Sequence, residues 1–320
     1  MGSSALSKLV IVRRSDRPLE LIDDRQLYAA IASGEWTRVT TGAYTPTRLW
    51  APLKPIEQHK VFVGEVARRL KEPAVISHLA ATAEHGIDVL GSWPRRMDVT
   101  TRRTVGGRSN GTVQRHTLGL DDVQTKAFGR HRITTPAQTA LDLARSLPFV
   151  RAVSAVDQAI WTERAGGPLT TLAEIIALMN GTSPHRGDAR ARRVLAFAEP
   201  LAANVRESQS RVVVVQLGFP KPQLQKKKKV LRSGRVAYGD LYFADEDHWC
   251  EIDGRVKYVK PEYDATRDIT QIVIDEKDRE NEIRREVTGF SRWAAKDGDN
   301  PRVIWDILTG DGMPCSKPRP

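Results

Sequence analysis

A helical spacing of apolar residues opens the chain, and an alternating pattern follows it at once. The apolar positions of residues 26–32 favour a helix, and Gly34 stands where a helix C-terminus takes a left-handed residue. Residues 36–44 then alternate around Gly42, which predicts a strand, a turn and a second strand. A helix beside a short basic hairpin is the plan of a winged helix-turn-helix, which we expect over residues 1–55.

The winged-helix interpretation assigns DNA contacts to four side chains. Arg25 and Tyr28 lie on the helix, where contacts to the major groove are made. Arg38 and Thr40 lie on the first strand and at its turn, where a wing contacts phosphates. A helix followed by a hairpin also describes many protein-binding modules, so both interpretations stay open.

Beyond a proline-rich linker at residues 46–55, helical and strand-like patterns predict an α+β middle domain over residues 56–195. The predicted helices cover residues 59–70, 78–85, 136–147, 150–161 and 172–179. The predicted strands cover residues 74–76, 97–100, 113–116 and 130–133. The glycine-rich loop 106–111 lacks the Gly-Lys-Ser/Thr ending of a phosphate-binding loop, so we expect a basic hairpin tip there.

Ser77 and His78 carry the residue types of a nucleophile and its base. Neighbours in sequence rarely face one another, and we expect no carboxylate to be placed where it could orient the imidazole. We therefore predict that Ser77 caps the helix that begins at His78, with no catalytic role for either residue.

Three carboxylates fall on two strand-like segments that an acidic turn joins. Glu251 and Asp253 are two residues apart, so they share one face of a strand, and an antiparallel partner brings Asp240 beside them. Such a cluster repels itself unless a cation fills it, and Mg2+ takes carboxylate oxygens while leaving room for a substrate phosphate. The pattern points to phosphodiester hydrolysis, and a plain polar turn is the alternative.

Composition narrows the choice of metal ligands and of compartment. Cys250 and Cys315 are too few for a disulfide framework or a cysteine-based zinc site, and the seven histidines show no ligand spacing. Any metal is therefore expected to be oxygen-bound. No apolar run approaches the ~18 residues of a membrane span, and the polar start lacks the core of a secretory signal. We expect a cytoplasmic protein with no membrane partner.

The net charge of +11 is unevenly distributed. Residues 1–200 carry a net charge of +9, whereas residues 201–320 carry +2. A polyanion partner such as DNA fits the basic upstream part, and solubility alone is the alternative. The basic run Lys226–Lys229 precedes the carboxylate hairpin, where it is either a solvated edge or a flank of the phosphodiester site.

An ordered series of motifs runs through the C-terminal third. It consists of Glu207-Ser208 to Arg211, Gly218-Phe219-Pro220 to Gln225, Gly239-Asp240, Glu251-Ile252-Asp253-Gly254, Glu276 to Arg285, and Gly289-Phe290 to Trp293. In this order the motifs resemble the very-short-patch-repair-like branch of the PD-(D/E)XK nucleases. The resemblance implies a mixed sheet flanked by helices over residues 196–310, followed by a tail at residues 311–320.

The same resemblance implies roles for particular residues. Asp240 and Glu251 hold Mg2+ (or Mn2+), and the carbonyl of Ile252 contributes a third ligand. Glu207 is implied as a supporting acid on the first helix of the domain. Gly239 replaces the proline of the name motif. Asp253 stands where the archetype has a lysine, so activation of water would need Lys257 or another base.

A second group of motifs lies upstream. It consists of Gly34-Glu35-Trp36 to Tyr44, Ser77-His78-Leu79-Ala80-Ala81 to Gly86, and Ile133-Thr134-Thr135-Pro136 to Ala144. These segments resemble the AbiEi-type antitoxins of abortive-infection toxin–antitoxin systems. The resemblance implies transcriptional repression through the winged helix and a toxin protein as partner.

The expected architecture is thus an α/β multidomain protein, with a winged helix, an α+β middle domain and a restriction-endonuclease-like domain. One functional hypothesis is a DNA-binding protein of defence type with a Mg2+-dependent endonuclease domain. The alternative is a transcriptional regulator or antitoxin whose nuclease-like domain is inactive. A third hypothesis is an interaction scaffold that binds a toxin or another protein without nucleic acid.

Overall fold

The computed structural model describes residues 6–16, 24–102, 111–117, 119–253 and 269–320, with residues 269–276 described by backbone alone. Gly254, Lys257 and most of the glycine-rich loop 106–111 lie outside the described residues. The described chain combines helices with three β-sheets, which confirms the expected mixed α/β composition.

The chain divides into two compact units. The N-terminal unit comprises Met1–Leu147 and Leu169–Arg193, and the C-terminal unit comprises Pro148–Pro168 and Val194–Pro320. The predicted division at residues 55, 195 and 310 stays a prediction. One helix of the predicted middle domain, Phe149–Ile160, falls within the C-terminal unit.

The helices of the N-terminal unit are α1 to α5 and α7. Their bounds are Asp24–Ala32 (α1), Thr47–Trp50 (α2), Pro55–Arg68 (α3), His78–His85 (α4), Pro136–Ser146 (α5) and Leu172–Asn180 (α7). Its strands are Val12–Arg13 (β1), Trp36–Thr40 (β2), Ala43–Pro46 (β3), Val75–Ile76 (β4), Met97–Thr100 (β5), Val113–His116 (β6), Thr125–Phe128 (β7) and His131–Thr134 (β8).

The first sheet has the order β1-β3-β2, and both of its pairings are antiparallel. Gly42 turns the chain between β2 and β3 with a φ of 72°, a region that glycine adopts without steric cost. The predicted helix, strand, turn and strand are therefore present. Whether this arrangement acts as a winged helix stays a prediction.

The second sheet has the order β6-β5-β4-β8-β7 and mixes parallel with antiparallel pairs. Helices α3 and α4 pack against it through buried apolar side chains such as Val63 and Ala80. Helix α5 begins as predicted, because the Thr135 side chain accepts a hydrogen bond from the Gln138 amide and Pro136 occupies the first turn.

The C-terminal unit is built on one four-stranded sheet of the order β12-β11-β10-β9. Its elements are Phe149–Ile160 (α6), Val205–Leu217 (α9), Gln223–Lys229 (β9), Val236–Phe243 (β10), His248–Asp253 (β11), Ile269–Arg284 (α10), Gly289–Ala294 (β12) and Pro301–Gly310 (α11). Helix α8, Asp188–Phe197, spans the division between the two units.

The pairing in this sheet is antiparallel from β9 to β11 and parallel between β11 and β12. One apolar cluster joins α9 and α11 to Leu241 and Cys250. A second cluster joins Ile283 of α10 to Trp249 of β11. The sheet is thus covered by helices, in agreement with the implied coarse architecture, and the nuclease-fold assignment itself stays a prediction.

Two elements and one buried side chain of the C-terminal half were not predicted from the sequence. Strand β9 contains four consecutive lysines, which hide the alternation of its two faces. Helix α8 begins inside the polar stretch 180–193. The composition of that stretch is typical of a domain boundary, so it gave no sign of a helix. Met313, within the predicted tail, is buried against the core of the C-terminal unit.

In the ranges that the structure describes, no helix is both long enough and apolar enough to cross a membrane.

Candidate functional site

The backbone ladder between β10 and β11 ends where the predicted site begins. Its last described pair is Leu241 with Cys250. One residue further, the backbone pairing is replaced by a side-chain contact. Asp240 Oδ2 accepts a hydrogen bond of 2.6 Å from the Ile252 amide. The two strands therefore diverge beside Asp240 and Glu251, which brings these two predicted residues to the same edge of the ladder.

Glu251 is buried, with 6% of its surface exposed. The Nη2 atom of Arg279 lies 3.2 Å from one carboxylate oxygen and 3.3 Å from the other. Arg292 Nη1 lies 3.8 Å from Oε2. Burial raises the pKa of Glu251 above its ordinary value, and the two guanidinium groups oppose that shift because they favour the charged form.

Asp253 forms a two-point ion pair with Arg292. The Nε and Nη2 atoms of Arg292 each lie 2.6 Å from an Asp253 oxygen, and Nη1 lies 2.6 Å from Glu280 Oε2. Arg284 donates to the other oxygen of Glu280 at 2.8 Å. We call Glu251, Asp253, Glu280, Arg279, Arg284 and Arg292 the ion-pair network.

Glu207, the predicted supporting acid, lies in the first turn of α9. Its carboxylate accepts hydrogen bonds from the Ala203 amide at 2.9 Å and from Gln225 Nε2 at 3.0 Å. Asn204 donates to the same carboxylate and also caps the helix. Carboxylates at helix N-termini are favoured by the helix dipole, so these contacts account for Glu207 without a metal.

The fit of these residues to Mg2+ can be tested on their contacts. Asp240 and Glu251 supply the carboxylate oxygens that Mg2+ prefers. However, both Glu251 oxygens face guanidinium nitrogens, and Asp253 is engaged by Arg292. Within the described part of the chain, no three His, Cys, Asp or Glu side chains are grouped so that they could hold a metal ion. As arranged, these donors do not fit a divalent cation.

A basic cleft of about 580 Å³ lies in the N-terminal unit, beside the turn between β2 and β3. Its lining includes Arg13, Arg14, Arg38, Arg68, Arg69, Tyr28 and Glu65. Arg13 is neutralised by a two-point pair with Glu65, at 2.8 and 2.7 Å. Arg38 instead donates to the hydroxyl of Thr41 at 3.0 Å, and Arg69 donates to the Thr41 carbonyl. The cleft therefore carries a net positive charge.

The structure places the four predicted DNA contacts differently. Tyr28 is 56% exposed and lines the basic cleft together with Arg38. Arg25 is exposed on the same helix as Tyr28 but is not part of the cleft lining. Thr40 is buried, and its hydroxyl has no hydrogen-bond partner among the described residues. The geometry therefore brings Tyr28 and Arg38 together and separates Thr40 from the surface.

A buried polar cluster in the N-terminal unit was missed from the sequence. Ser77 occupies the N-cap position of α4 as predicted, but its side chain makes no capping hydrogen bond, and its hydroxyl lies 3.0 Å from His78 Nδ1 instead. The His78 ring stacks on His116 with centroids 3.6 Å apart, and His116 Nε2 lies 2.8 Å from Asp98 Oδ1. His78 has a left-handed φ of 48°, which is uncommon for a residue other than glycine.

This cluster was hidden because its carboxylate and second imidazole come from β5 and β6, which only the folded sheet brings beside Ser77. Ser77 is completely buried. Burial, and next the proximity of His116, lower the pKa of His78 well below its ordinary value. The Ser77 hydroxyl is therefore enclosed and hydrogen-bonded rather than an accessible nucleophile.

Arg211, the last residue of the first nuclease-like motif, is also fully buried. Its Nη2 lies 2.8 Å from Asp157 Oδ2, and its Nη1 donates to the Phe197 carbonyl at 2.7 Å. The guanidinium also lies 4.4 Å from the centroid of the Phe197 ring. The ion pair between Arg211 and Asp157 thus links α9 to α6 inside the C-terminal unit.

No protein-family model matches the chain. The chain is 30% identical over 177 residues to "Uncharacterized protein MT2308" of Mycobacterium tuberculosis (strain CDC 1551 / Oshkosh) and to "Uncharacterized protein Rv2248" of strain ATCC 25618 / H37Rv. Each match covers 52% of this chain and 63% of the relative. The chain therefore spans less than two thirds of the relatives that it matches.

Proposed function

We propose that the protein is a DNA-binding regulator of the defence or toxin–antitoxin type, acting in the cytoplasm. In this proposal the N-terminal unit contacts DNA, and the C-terminal unit is a nuclease-like domain without hydrolytic activity. The observation that supports the absence of hydrolytic activity is the ion-pair network. In this network, arginines form ion pairs with the carboxylates assigned to catalysis.

The basic cleft supports the first part of the proposal. Tyr28 offers an exposed aromatic ring, and Arg38 donates to a neutral hydroxyl rather than to a carboxylate. A guanidinium whose partner is neutral keeps its charge available for a phosphate, and phosphate contacts supply most of the affinity of DNA-binding proteins. The net charge of +9 on residues 1–200 acts in the same direction.

A Mg2+- or Mn2+-dependent endonuclease is the second candidate function. It is favoured by the divergence of β10 and β11 beside Asp240 and Glu251, and by the hydrogen bond that links Glu207 to Gln225 at the start of β9. This candidate requires Glu251 to exchange Arg279 for a metal ion. Cleavage of plasmid DNA that depends on the metal and on Glu251 distinguishes it from the regulator.

A toxin protein is the proposed second partner. Its support is the resemblance of the N-terminal segments to antitoxins. Co-purification with the product of an adjacent gene tests this partner. If the protein is monodisperse and does not bind that product, the result contradicts the proposal.

The test of DNA binding is a gel shift with DNA from upstream of the protein's own coding sequence. We expect a sequence-selective shift that Arg38→Gln and Tyr28→Ala both weaken. Arg48→Gln removes the same charge from an exposed position outside the cleft lining and should leave the shift nearly unchanged. Equal weakening by all three variants, or no selective shift by the wild type, contradicts the proposal.

A further inference from the structure

The four lysines of β9 divide into two pairs with different surroundings. Lys226 is half-buried, and its Nζ lies 5.1 Å from the centroid of the Tyr242 ring. Lys228 is also half-buried, and its Nζ donates to the Glu286 carbonyl at 2.6 Å. Lys227 and Lys229 are exposed. Because side chains alternate along the strand, Lys226 and Lys228 contact other residues of the protein, and Lys227 and Lys229 face solvent.

Strand register places two apolar side chains beside the exposed lysines. Tyr238 pairs with Lys227, and Val236 pairs with Lys229. Tyr238 is 51% exposed and Val236 is 45% exposed. We call the surface formed by Lys227, Lys229, Val236 and Tyr238 the hairpin face.

All the charged residues in the part of the hairpin that carries the hairpin face are positive. Residues 221–239 contain seven Lys or Arg and no Asp or Glu. The turn of the hairpin adds exposed Leu231, Arg232 and Arg235. On the opposite side, Glu282 and Glu286 of the C-terminal unit bind Ser233 and the Leu231 amide, so they hold the turn in place.

Two exposed cations on one strand, with an aromatic ring directly opposite one of them, match the chemistry of a nucleic-acid strand. The lysine spacing of two residues along a strand is about 7 Å, close to the separation of adjacent phosphates in a DNA strand. The Tyr238 ring, which lies opposite Lys227, offers a surface for a sugar or a base, and such stacking tolerates any sequence.

We propose that the hairpin face binds the sugar–phosphate backbone of DNA, with Lys227 and Lys229 on phosphates and Tyr238 against a sugar or a base. This rests on the proposed function, because DNA is the partner of both surfaces. The hairpin face lies on the C-terminal unit, so it is a second contact, separate from the cleft that contains Arg38. An acidic protein partner is the competing occupant.

The test uses the full-length protein and a fluorescent 30-base-pair duplex from upstream of its coding sequence, with anisotropy measured at several NaCl concentrations. The variants are Lys227→Gln/Lys229→Gln and the matched control Lys226→Gln/Lys228→Gln, which makes the same change in net charge on the same strand. Thermal unfolding of each variant checks that the fold is intact.

We expect the Lys227/Lys229 double variant to lower the slope of log affinity against log salt by about 2, because each phosphate contact contributes about 0.9. The Lys226/Lys228 control should keep the wild-type slope. Tyr238→Ala should weaken binding by about tenfold, whereas Tyr238→Phe, which keeps the ring, should not.

Equal slopes for the two double variants overturn the hairpin contact, since the effect would then follow total charge alone. If Arg38→Gln weakens binding while the hairpin variants match the wild type, the proposed function stands and the hairpin contact fails. If the wild type does not bind the duplex at any salt concentration, both proposals fail. Capture of an acidic protein that the Lys227/Lys229 variant loses, without any DNA effect, also overturns DNA as the occupant.

Discussion

Arg292 holds Asp253 through two hydrogen bonds of 2.6 Å, one from Nε and one from Nη2. Its remaining nitrogen, Nη1, lies 2.6 Å from Glu280 and 3.8 Å from Glu251. One guanidinium of β12 therefore lies within 4 Å of three acids, two of which the sequence assigns to catalysis. The carboxylates do not need a metal ion to coexist at this edge of the sheet.

The first prediction concerns the stability that this guanidinium provides. Arg292→Met keeps much of the side-chain volume but leaves acids of the ion-pair network without their shared partner. We expect a loss of about 2 kcal/mol in the free energy of unfolding, measured by urea denaturation, because unpaired buried charges are costly.

Arg319→Met is the matched control for this prediction. Arg319 also forms a two-point pair with a carboxylate, that of Asp306, at 2.6 and 2.7 Å, but both side chains are exposed. Solvent screening makes such pairs weak, so little change is expected. Equal small effects of the two substitutions would show that the ion-pair network has no special role in stability.

The second prediction concerns pH and the buried carboxyl of Asp142. Burial raises the pKa of Asp142 to about 7, and a hydrogen bond of 2.8 Å from Gln138 opposes the shift. Its unfolded pKa is about 3.9, so the folded state retains a proton that the unfolded state has lost. The stability from this group is full below pH 4 and is lost as pH rises through 7.

Asp142→Asn should remove this loss, so that the variant gains stability over the wild type between pH 4 and pH 8, by at most about 4 kcal/mol. His59 acts in the opposite direction, because burial lowers its pKa to about 4 and stability is lost as pH falls below 6.5. The informative quantity is therefore the difference between variant and wild type at each pH. A difference that is constant from pH 4 to pH 8 is incompatible with the raised pKa.

The third prediction concerns two glycines in different surroundings. A Cβ atom at Gly239 would lie 2.7 Å from the Trp249 ring, so Gly239→Ala should destabilise the protein by about 1–3 kcal/mol. Gly64 lies within α3, and a Cβ atom there meets nothing within 4 Å among the described atoms. Gly64→Ala should therefore stabilise the helix by about 0.5–1 kcal/mol. Thermal unfolding measures both, and a harmless Gly239→Ala contradicts the packing described.

Local signals predicted much of the fold. Thr135 before Pro136 marks the start of α5, and Gly42 marks the turn between β2 and β3 with a φ of 72°. The spacing of Glu251 and Asp253 correctly places both on β11. These features depend on residues close in sequence, which a pattern can show.

The partners of the acids depend on residues far apart in sequence and could not be predicted in this way. Arg279 and Arg292 reach Glu251 from α10 and β12, and their pattern alone describes an ordinary charged helix and strand. Likewise, the packing of Trp249 on Gly239 gives a physical reason for glycine in place of proline. The sequence motif contains the acids, but it does not show which cations pair with them.

The most direct test of the account compares wild type with Glu251→Gln in cleavage of plasmid and single-stranded DNA with Mg2+ or Mn2+, with DNA binding followed by gel shift. We expect both proteins to bind DNA and neither protein to cut it. Cleavage by the wild type that Glu251→Gln abolishes, with binding unchanged, would contradict the proposed inactive regulator and establish the endonuclease.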